Sequence, residues 1–496
     1  MPTRLIDIGY EVSAIPRLVL SSNIGHPQHI RYAALSYCWG SEKDAESQFK
    51  TEKASLERRC VGLPSQLTTP ATNDAIALTR AIGLRYLWID ALCIIQDDKE
   101  DWEHESSRMN LVYRHAFVTL CNLNSDSCHE NFLSRAPAVE IPFQSTVRKA
   151  IQGSYLIRLC PRLYASFDRG RYAWDSTLSK WNQRCWTFQE KEMSTRLLLF
   201  GSLRMHFTCA RSEWSEGDKA PSDRSQSRAG VSDMITRFKD KRISSTGMYQ
   251  YWYWLVSQYG HRSVTFEKDR LPAIAGLARI IGEALHDQYL AGLWKGDLHY
   301  GLTWYTISGK LSRGLEAYMR DIRERNYVAP SWSWAACLNV KPIIPHDGSM
   351  FEESVIVDAH IDASPDDPYG QVSGGFLRIR GKMAQMPNWL PKDNTDWSND
   401  WLHVLGGDYH SSVYVATDWL QKEKEAGLEN LVVMLLSHVK NEDEEKAPIL
   451  RALLLYPADE LSTYYRVGVI ESGGRGGYRE MRGWFEESQE ETICII

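Results

Sequence analysis

Three short apolar runs that alternate with helix-forming segments restrict the fold of this chain more than any other feature. The runs are residues 32–39, 85–95 and 117–121. Each has the length and composition of a buried strand. The segments between them, residues 69–82 and the stretch that ends at residue 115, carry apolar side chains at helical spacing. This order of strand, helix, strand, helix and strand predicts an α/β fold with a parallel sheet and right-handed crossovers.

The rest of the chain predicts a linker and two further regions. Residues 211–247 are polar and rich in Ser, Asp, Lys and Arg, as linkers often are. Residues 248–340 include a strong helical pattern, and residues 341–496 show strand patterns separated by turn-rich segments. We therefore expect an α/β domain over residues 1–210, a polar linker, a helical middle and a β-rich C-terminal region.

Charge and the length of the apolar runs exclude several classes of partner. The 496 residues include 57 basic and 63 acidic side chains, for a formal net charge of -6, and no basic stripe. We therefore expect no nucleic-acid partner. The most apolar runs, such as residues 431–436, are too short to span a bilayer, and residues 1–10 contain no apolar signal core. These patterns predict a cytoplasmic protein with no membrane partner.

Cysteine and glycine patterns argue against three further kinds of site. The ten cysteines are scattered and include no Cys-x-x-Cys pair, so we expect neither a disulfide framework nor a metal site. A nucleophile at Cys38, Cys93 or Cys185 would need a histidine nearby, and none is adjacent in the sequence. The glycine-rich run at residues 473–477 does not follow a strand-to-helix pattern, so it predicts a mobile loop rather than a phosphate cradle.

Three motifs resemble those of the fungal heterokaryon-incompatibility (HET) domain family, and they occur in that family's order. They are ALSYCWG at residues 34–40, LWIDALCIIQD at residues 87–97 and RCWTFQE at residues 184–190. A looser similarity continues over nearly the whole chain. Two positions depart from the family pattern, because Ile95 stands where Asn is common and Cys185 where Gly is common. Since an Ile side chain cannot replace the hydrogen bonds of Asn, the ligand or activity is expected to differ here.

The resemblance also implies a fold and a catalytic residue. HET domains are similar to TIR domains, so we expect a TIR-like parallel sheet flanked by helices. TIR-type enzymes cleave the bond between nicotinamide and ribose, and Trp186-x-x-x-Glu190 is similar to the TIR helix that carries the catalytic glutamate. The resemblance thus implies that Glu190 is catalytic and that NAD is a substrate, with no cofactor. The alternative is that Glu190 pairs with Arg184 or Arg196 for structural reasons.

Other residues of the three motifs are candidates for binding a substrate. They are Ser36, Tyr37, Trp39, Asp90, Gln96, Asp97, Trp186 and Gln189. Asp90 interrupts an apolar run, so its carboxylate either faces a ligand at the carboxyl end of a strand or is satisfied by backbone donors. The serine and the tyrosine fit core packing equally well, the two tryptophans fit core packing better than stacking on a ligand, and Asp97 could instead cap the next helix.

Three functional classes remain open from the sequence. The first is an effector of nonself recognition that triggers cell death, with NAD hydrolysis as one route. The second is a HET-like enzyme of fungal secondary metabolism that acts on a small organic substrate. The third is a non-catalytic signalling module that acts through self-association.

Overall fold

The computed structural model describes residues 1–25, 30–134, 139–157, 175–177, 179–202, 204–218, 220–223, 230–307, 314–324, 327–343, 348–387, 402–405, 413–418, 428–441 and 447–496. The chain divides into two compact units, Met1–Asp233 and Met234–Ile496. The domain boundaries expected at residues 210, 247 and 340 remain predictions.

The first unit is organised around one sheet. Its strands are β1 (Arg4–Asp7), β2 (Arg17–Leu20), β3 (Tyr32–Ser36), β4 (Tyr86–Trp88), β5 (Val118–Asn122), β8 (Arg196–Phe200), β9 (Met205–Cys209), β10 (Ser212–Ser215) and β11 (Ser222–Asp223). Two further strands, β6 (Val139–Gln144) and β7 (Gln152–Ile157), form a separate hairpin. Among the described residues, the order in the large sheet is β11-β10-β9-β8-β5-β3-β4-β1-β2.

The centre of this sheet is parallel, as the sequence predicts. Strand β3 pairs in parallel with β4 on one side and β5 on the other, and β5 pairs in parallel with β8. Every residue of β3 and of β5 is buried, which explains why both read as continuous apolar runs. The TIR-like assignment and the placement of helices on both faces remain predictions.

The helices of the first unit lie mainly between these strands. They are α1 (Glu42–Ser47), α2 (Leu56–Val61), α3 (Pro70–Ala81), α4 (Asp90–Cys93), α5 (Lys99–Ser106), α6 (Met109–His115), α7 (Lys180–Gln183) and α8 (Cys185–Met193). The helix predicted over residues 69–82 is confirmed as α3. The Thr69 side chain accepts a hydrogen bond from the Thr72 amide, and Pro70 occupies the first turn.

Two local predictions are wrong in this unit. Residues 85–95 do not form one strand, because β4 ends at Trp88 and Asp90 begins the helical turn α4. The helix expected to end at residue 115 is two helices, with Arg108 at the break between α5 and α6. In both places a polar side chain bonds to nearby backbone groups, an alternative that apolar spacing does not reveal.

The segment expected to be a polar linker contains regular structure in its described part. Within residues 211–247 the chain forms β10, β11 and the helix α9 (Val231–Lys239), and then enters the next helix at Ser245. Strand β10 pairs with β9, and its Ser215 is buried. Part of this polar segment therefore forms the edge of an antiparallel sheet. Polar residues suit such an edge because one face of the sheet meets solvent.

The second unit combines helices and an extensive antiparallel sheet. Its helices are α10 (Ser245–Tyr259), α11 (Pro272–Leu285), α12 (Leu298–Gly301), α13 (Leu315–Glu324) and α14 (Gly474–Gly483). Its short strands are β12 (Tyr289–Leu290), β13 (Leu293–Trp294), β14 (Tyr305–Thr306) and β15 (Val340–Lys341). The large sheet contains β16 (Gly348–Glu352), β17 (Ser354–Ser364), β18 (Asp367–Gln385), β19 (Leu402–Leu405), β20 (Val413–Thr417), β21 (Val432–Asn441), β22 (Ile449–Pro457), β23 (Thr463–Ser472) and β24 (Glu490–Ile495). The expected β-rich C-terminal region is confirmed.

A buried ion pair and a serine stabilise the core of this second unit. Arg466 and Asp418 are both fully buried, with Nη1 and Oδ2 2.8 Å apart. The Arg466 guanidinium also stacks 3.5 Å from the Trp304 ring centroid. Ser331 accepts a hydrogen bond from the Arg466 amide and donates one to the Ile496 carbonyl. These polar contacts are internal to the unit and fix its strands against one another.

The glycine-rich run of the second unit is helical, so the predicted loop is wrong. Helix α14 begins at Gly474 and contains the rest of this run. Its Met481 is buried, and Tyr478 and the following Phe485 pack in the same apolar cluster of the large sheet. This tertiary burial outweighs the low helix propensity of glycine, which costs about 1 kcal/mol per residue.

Candidate functional site

The carboxyl ends of β3 and β4 bring two motifs of the sequence to one edge of the sheet. Ser36 is the last residue of β3, and Asp90 follows β4 after a single intervening residue. Because these strands are parallel neighbours, their ends meet at the edge where open α/β sheets bind ligands. Beyond Trp39 the chain turns at Gly40, whose φ of 106° suits glycine, and a Cβ there would collide with the Asp44 side chain.

Ser36 connects the first motif to the third. Its hydroxyl donates a hydrogen bond to Glu190 Oε2, and it accepts one from Trp181 Nε1 at 2.6 Å. Ser36 and Trp181 are 1% and 0% exposed, so bulk water does not compete for these bonds. Helix α8 thus places Glu190 directly against the end of β3, and Trp181 on α7 orients the serine between them.

Glu190 is a buried carboxyl on helix α8 whose pKa is shifted from its usual value. The pKa of its carboxyl is raised from 4.5 to about 7, mainly by burial and also by the negative charge of Asp90. The hydrogen bond from Ser36, the positive charge of Arg184 and a contact with the Tyr113 hydroxyl act in the opposite direction. Glu190 is only 7% exposed, and this burial is the reason that its pKa lies in the neutral range.

Asp90 is held by three donors around its carboxylate. Trp39 Nε1 donates to one oxygen at 2.9 Å, and the Ala91 amide donates to the other at 2.7 Å. The Tyr37 hydroxyl is the third donor, and this contact lowers the pKa of Asp90 while burial raises it overall. Asp90 is only partly buried, as is Trp39, so both side chains have solvent on one side. The carboxylate is therefore held in a fixed orientation.

Tyr37 links this carboxylate to a residue outside the motifs. Gln48 Nε2 donates a hydrogen bond to the Tyr37 hydroxyl, and both side chains are buried. Arg184 Nη1 binds the Tyr37 backbone carbonyl at 2.9 Å. The positive charge of Arg184 lowers the pKa of both Asp90 and Glu190, so the two carboxyl groups share one cation.

The loop that carries Asp90 is anchored along its length by Thr51. The Thr51 hydroxyl donates to the Leu92 carbonyl at 2.7 Å, and its amide donates to the Ala91 carbonyl at 2.9 Å. The Thr51 carbonyl accepts from the Gln96 amide at 2.8 Å. The Gln96 side chain donates to the carbonyls of Asp90 and Ile94 at 3.1 and 3.2 Å. Gln96 therefore positions the loop by bonding to its backbone.

A second clamp on the same loop comes from the first strand. Arg4 Nε on β1 donates to the Cys93 carbonyl at 2.7 Å, and its guanidinium pairs with Asp101. Asp101 accepts in turn from the Ile95 amide at 2.8 Å. With few free backbone groups left, the loop between β4 and α5 is preorganised rather than mobile.

The structure brings most of the predicted site residues together and leaves one outside. Ser36, Tyr37, Trp39, Asp90 and Glu190 form one connected cluster. Asp97 is exposed and accepts a hydrogen bond from the Lys53 amide at 2.8 Å, while the cap of α5 is Asp98. The two remaining candidates, Trp186 and Gln189, lie on α8. The former is partly exposed, and the latter is 2% exposed.

Sequence reasoning missed four residues of this cluster. They are Gln48, Thr51, Tyr113 and Trp181, together with the clamp formed by Arg4 and Asp101. Trp181 precedes the third motif by three residues, and Tyr113 lies on the predicted apolar stripe of a helix, so their spacing indicated packing only. The positions that depart from the family pattern, Ile95 and Cys185, are 8% and 3% exposed and pack as buried apolar residues.

Thiol and metal chemistry have little support in the described part of the chain. Burial raises the pKa of Cys38, and it raises that of Cys93 to about 12, so both thiols stay protonated near neutral pH. Cys185 is also buried. Among the described residues, no group of three or more His, Cys, Asp and Glu side chains could hold a metal ion. No described helix is long and apolar enough to cross a membrane.

The fold and the site define an α/β domain with two neighbouring carboxyl groups at the carboxyl edge of a parallel sheet. Residues 32–190 match the family model described as "Heterokaryon incompatibility protein (HET)". This segment of the chain belongs to the HET domain family, which suggests a function of the heterokaryon-incompatibility type. No curated protein and no solved structure matches the chain.

Proposed function

We propose that this protein is an effector of nonself recognition whose HET domain hydrolyses NAD and thereby triggers cell death. The observation that carries the proposal is the Glu190 carboxyl at the carboxyl edge of the sheet, which is buried, bonded to Ser36 and electrostatically coupled to Asp90. Paired carboxyl groups with different surroundings are the usual equipment for cleaving a glycosidic bond.

The reaction needs little beyond these two groups. Water attacks the ribose carbon that bears nicotinamide, the carbon–nitrogen bond breaks, and ADP-ribose, nicotinamide and one proton are released. Because the nicotinamide of NAD is already cationic, it leaves as a neutral molecule without a general acid. Ionised Glu190 stabilises the cationic, oxocarbenium-like transition state, and Asp90 accepts the proton of the attacking water.

The surroundings of the two carboxyl groups suit these separate roles. Glu190 is the more enclosed group, where a fixed negative charge acts strongly on a developing cation. Asp90 keeps contact with solvent, from which a water molecule arrives, and the partly exposed Trp39 offers an aromatic surface for a base beside it. Arg184 keeps the close pair of carboxyl groups from repelling each other fully.

Nicotinamide release from NAD tests the proposal directly. Wild type, Glu190→Gln and Glu192→Gln are incubated with NAD over a range of protein concentrations. Glu192 is the matched control, since it lies on the same helix and pairs with Lys191 at 3.7 Å. We expect Glu190→Gln to lose about 100-fold or more in turnover and the control to retain it. Activity that survives in Glu190→Gln, or no release by the folded wild type at any concentration, rules the proposal out.

One surface also favours the signalling alternative, in which the protein acts by self-association. The β6–β7 hairpin exposes apolar side chains on one face, including Val139, Ile141, Tyr155 and Ile157 at 63%, 45%, 57% and 48% exposure. An isolated two-stranded hairpin is marginally stable in water, and such a face is typical of an interaction site. A mass that rises with concentration in wild type but not in Tyr155→Glu supports this role, and a concentration-independent monomer removes it.

A further inference from the structure

Gln48 carries a buried acceptor atom that accepts no hydrogen bond from any described residue. Gln48 is the residue directly after helix α1, and it is 5% exposed. Its Nε2 donates to the Tyr37 hydroxyl, whereas its Oε1 has no hydrogen-bond partner among the described residues. Buried polar atoms of this kind are rare in folded proteins, and each one calls for an explanation.

The hydrogen-bond chain determines which end of the Gln48 amide is left over. In the proposed function Asp90 is an ionised base, which can only accept a hydrogen bond, so the Tyr37 hydroxyl directs its single proton to that carboxylate. The Tyr37 oxygen is then an acceptor, and the Gln48 amide must present its nitrogen to it. The amide oxygen is therefore the free atom, and exchanging nitrogen and oxygen would leave the Tyr37 contact without a proton.

The location of this oxygen ties it to the candidate active site. It belongs to the same planar amide that touches Tyr37, which in turn contacts Asp90, the proposed acceptor of the proton from water. Two partly exposed side chains, Asp90 and Trp39, lie at the solvent side of this cluster. Trp39 donates a hydrogen bond to the same carboxylate, and its indole is available to stack on an aromatic ring.

We propose that Gln48 Oε1 selects the substrate by accepting a hydrogen bond from an NH₂ group on its heteroaromatic ring. The inference rests on the proposed function and names the chemistry that the site recognises. In a pyridine and purine dinucleotide, that NH₂ group has two sources, the carboxamide of nicotinamide and the exocyclic amine of adenine. Both groups place two N–H donors beside a flat ring. The Gln48 oxygen can accept from one of these donors, and an aromatic side chain of the cluster can stack on the ring.

Three dinucleotides separate these sources. They are NAD, the analogue with nicotinic acid in place of nicotinamide, and the analogue with hypoxanthine in place of adenine. Binding is measured by titration calorimetry and cleavage by release of the pyridine, for wild type and for Gln48→Met, which keeps the side-chain length but has no acceptor. Thermal unfolding confirms that the variant is folded, and the ratio between ligands serves as an internal control, because a purely structural defect weakens all three alike.

We expect wild type to bind one analogue about tenfold or more weakly than NAD, because it leaves the acceptor unpaired. Gln48→Met should reduce that ratio to within about threefold. Discrimination against the nicotinic acid analogue identifies the carboxamide, and discrimination against the hypoxanthine analogue identifies the adenine amine. Equal affinity of wild type for all three, unchanged discrimination in Gln48→Met, or no binding of any of them overturns the inference.

The two readouts distinguish this inference from the proposed function. Selective binding without release of nicotinamide refutes NAD hydrolysis and leaves the recognition by Gln48 standing. Release of the pyridine from all three dinucleotides at equal rates and equal affinities refutes the recognition and leaves the hydrolase standing.

Discussion

Replacing Glu190 by glutamine should stabilise the protein, and more so as the pH rises. The substitution keeps the size of the side chain and removes a charge that the site holds at a cost. Burial is the main cause of the raised pKa, and the hydrogen bond from Ser36 offsets it only in part. Groups that are strained for the sake of chemistry commonly reduce stability in this way.

The size of the effect follows from the pKa of Glu190. It is raised from 4.5 to about 7 in the folded protein, and each unit of difference corresponds to about 1.4 kcal/mol. Since the folded value lies above the unfolded value, the folded protein binds the proton more tightly. The contribution of this group to stability is thus fully present below pH 4.5 and is lost as the pH rises through about 7. Glutamine does not titrate, so the variant should gain about 2 to 3 kcal/mol on wild type between pH 5 and pH 8.

Urea unfolding at pH 5, 6, 7 and 8, followed by tryptophan fluorescence, measures this difference. Taking variant minus wild type cancels the other titrating groups, which are the same in both proteins. Glu103→Gln is the matched control, because this carboxylate lies on the surface of α5 with a 57% exposed side chain. A Glu190→Gln advantage that stays flat or shrinks between pH 5 and pH 8 would refute the argument that burial holds this carboxyl protonated.

Two further changes each test a contact that lies within one of the units. Thr51→Val removes the hydroxyl that binds the Leu92 carbonyl and should cost about 1 to 3 kcal/mol of stability. It should also speed hydrogen exchange in residues 90–96, unlike Thr79→Val, whose hydroxyl bonds within its own helix. Asp418→Asn leaves the fully buried Arg466 without its counter-charge and should destabilise the second unit by about 3 to 5 kcal/mol in thermal unfolding. A loss of stability below about 1 kcal/mol in Asp418→Asn would show that water solvates the Arg466–Asp418 pair, contrary to its burial in the structure.

The parallel core of the first unit was predictable because local pattern and fold agree there. The runs that became β3 and β5 are buried on all sides, so nearly every residue in them is apolar. Ser36 and Asp90 were also predictable as neighbours, since parallel strands must end at the same edge.

Predictions from apolar spacing were wrong where other contacts of the side chains determine the secondary structure. Asp90 bonds to the Ala91 amide and ends the extended run that the apolar residues around it suggest. The glycine-rich run became helix α14 because Met481 and its neighbours pack against the large sheet. The first case is a local hydrogen bond from side chain to backbone, and the second is a tertiary contact, and each overrides the local apolar pattern or propensity.

By itself, the sequence determined the secondary-structure order of residues 32–121, the parallel centre of the sheet and the family of residues 32–190. These properties depend on apolar periodicity and on motifs, both of which are local. Only the tertiary structure decided that Glu190 titrates near neutral pH, that Gln48 joins the site through Tyr37, and that Arg4 holds the loop of Asp90. Burial and hydrogen bonds between distant residues produce these properties. Separations such as the 154 residues between Ser36 and Glu190 leave no periodic trace in a sequence.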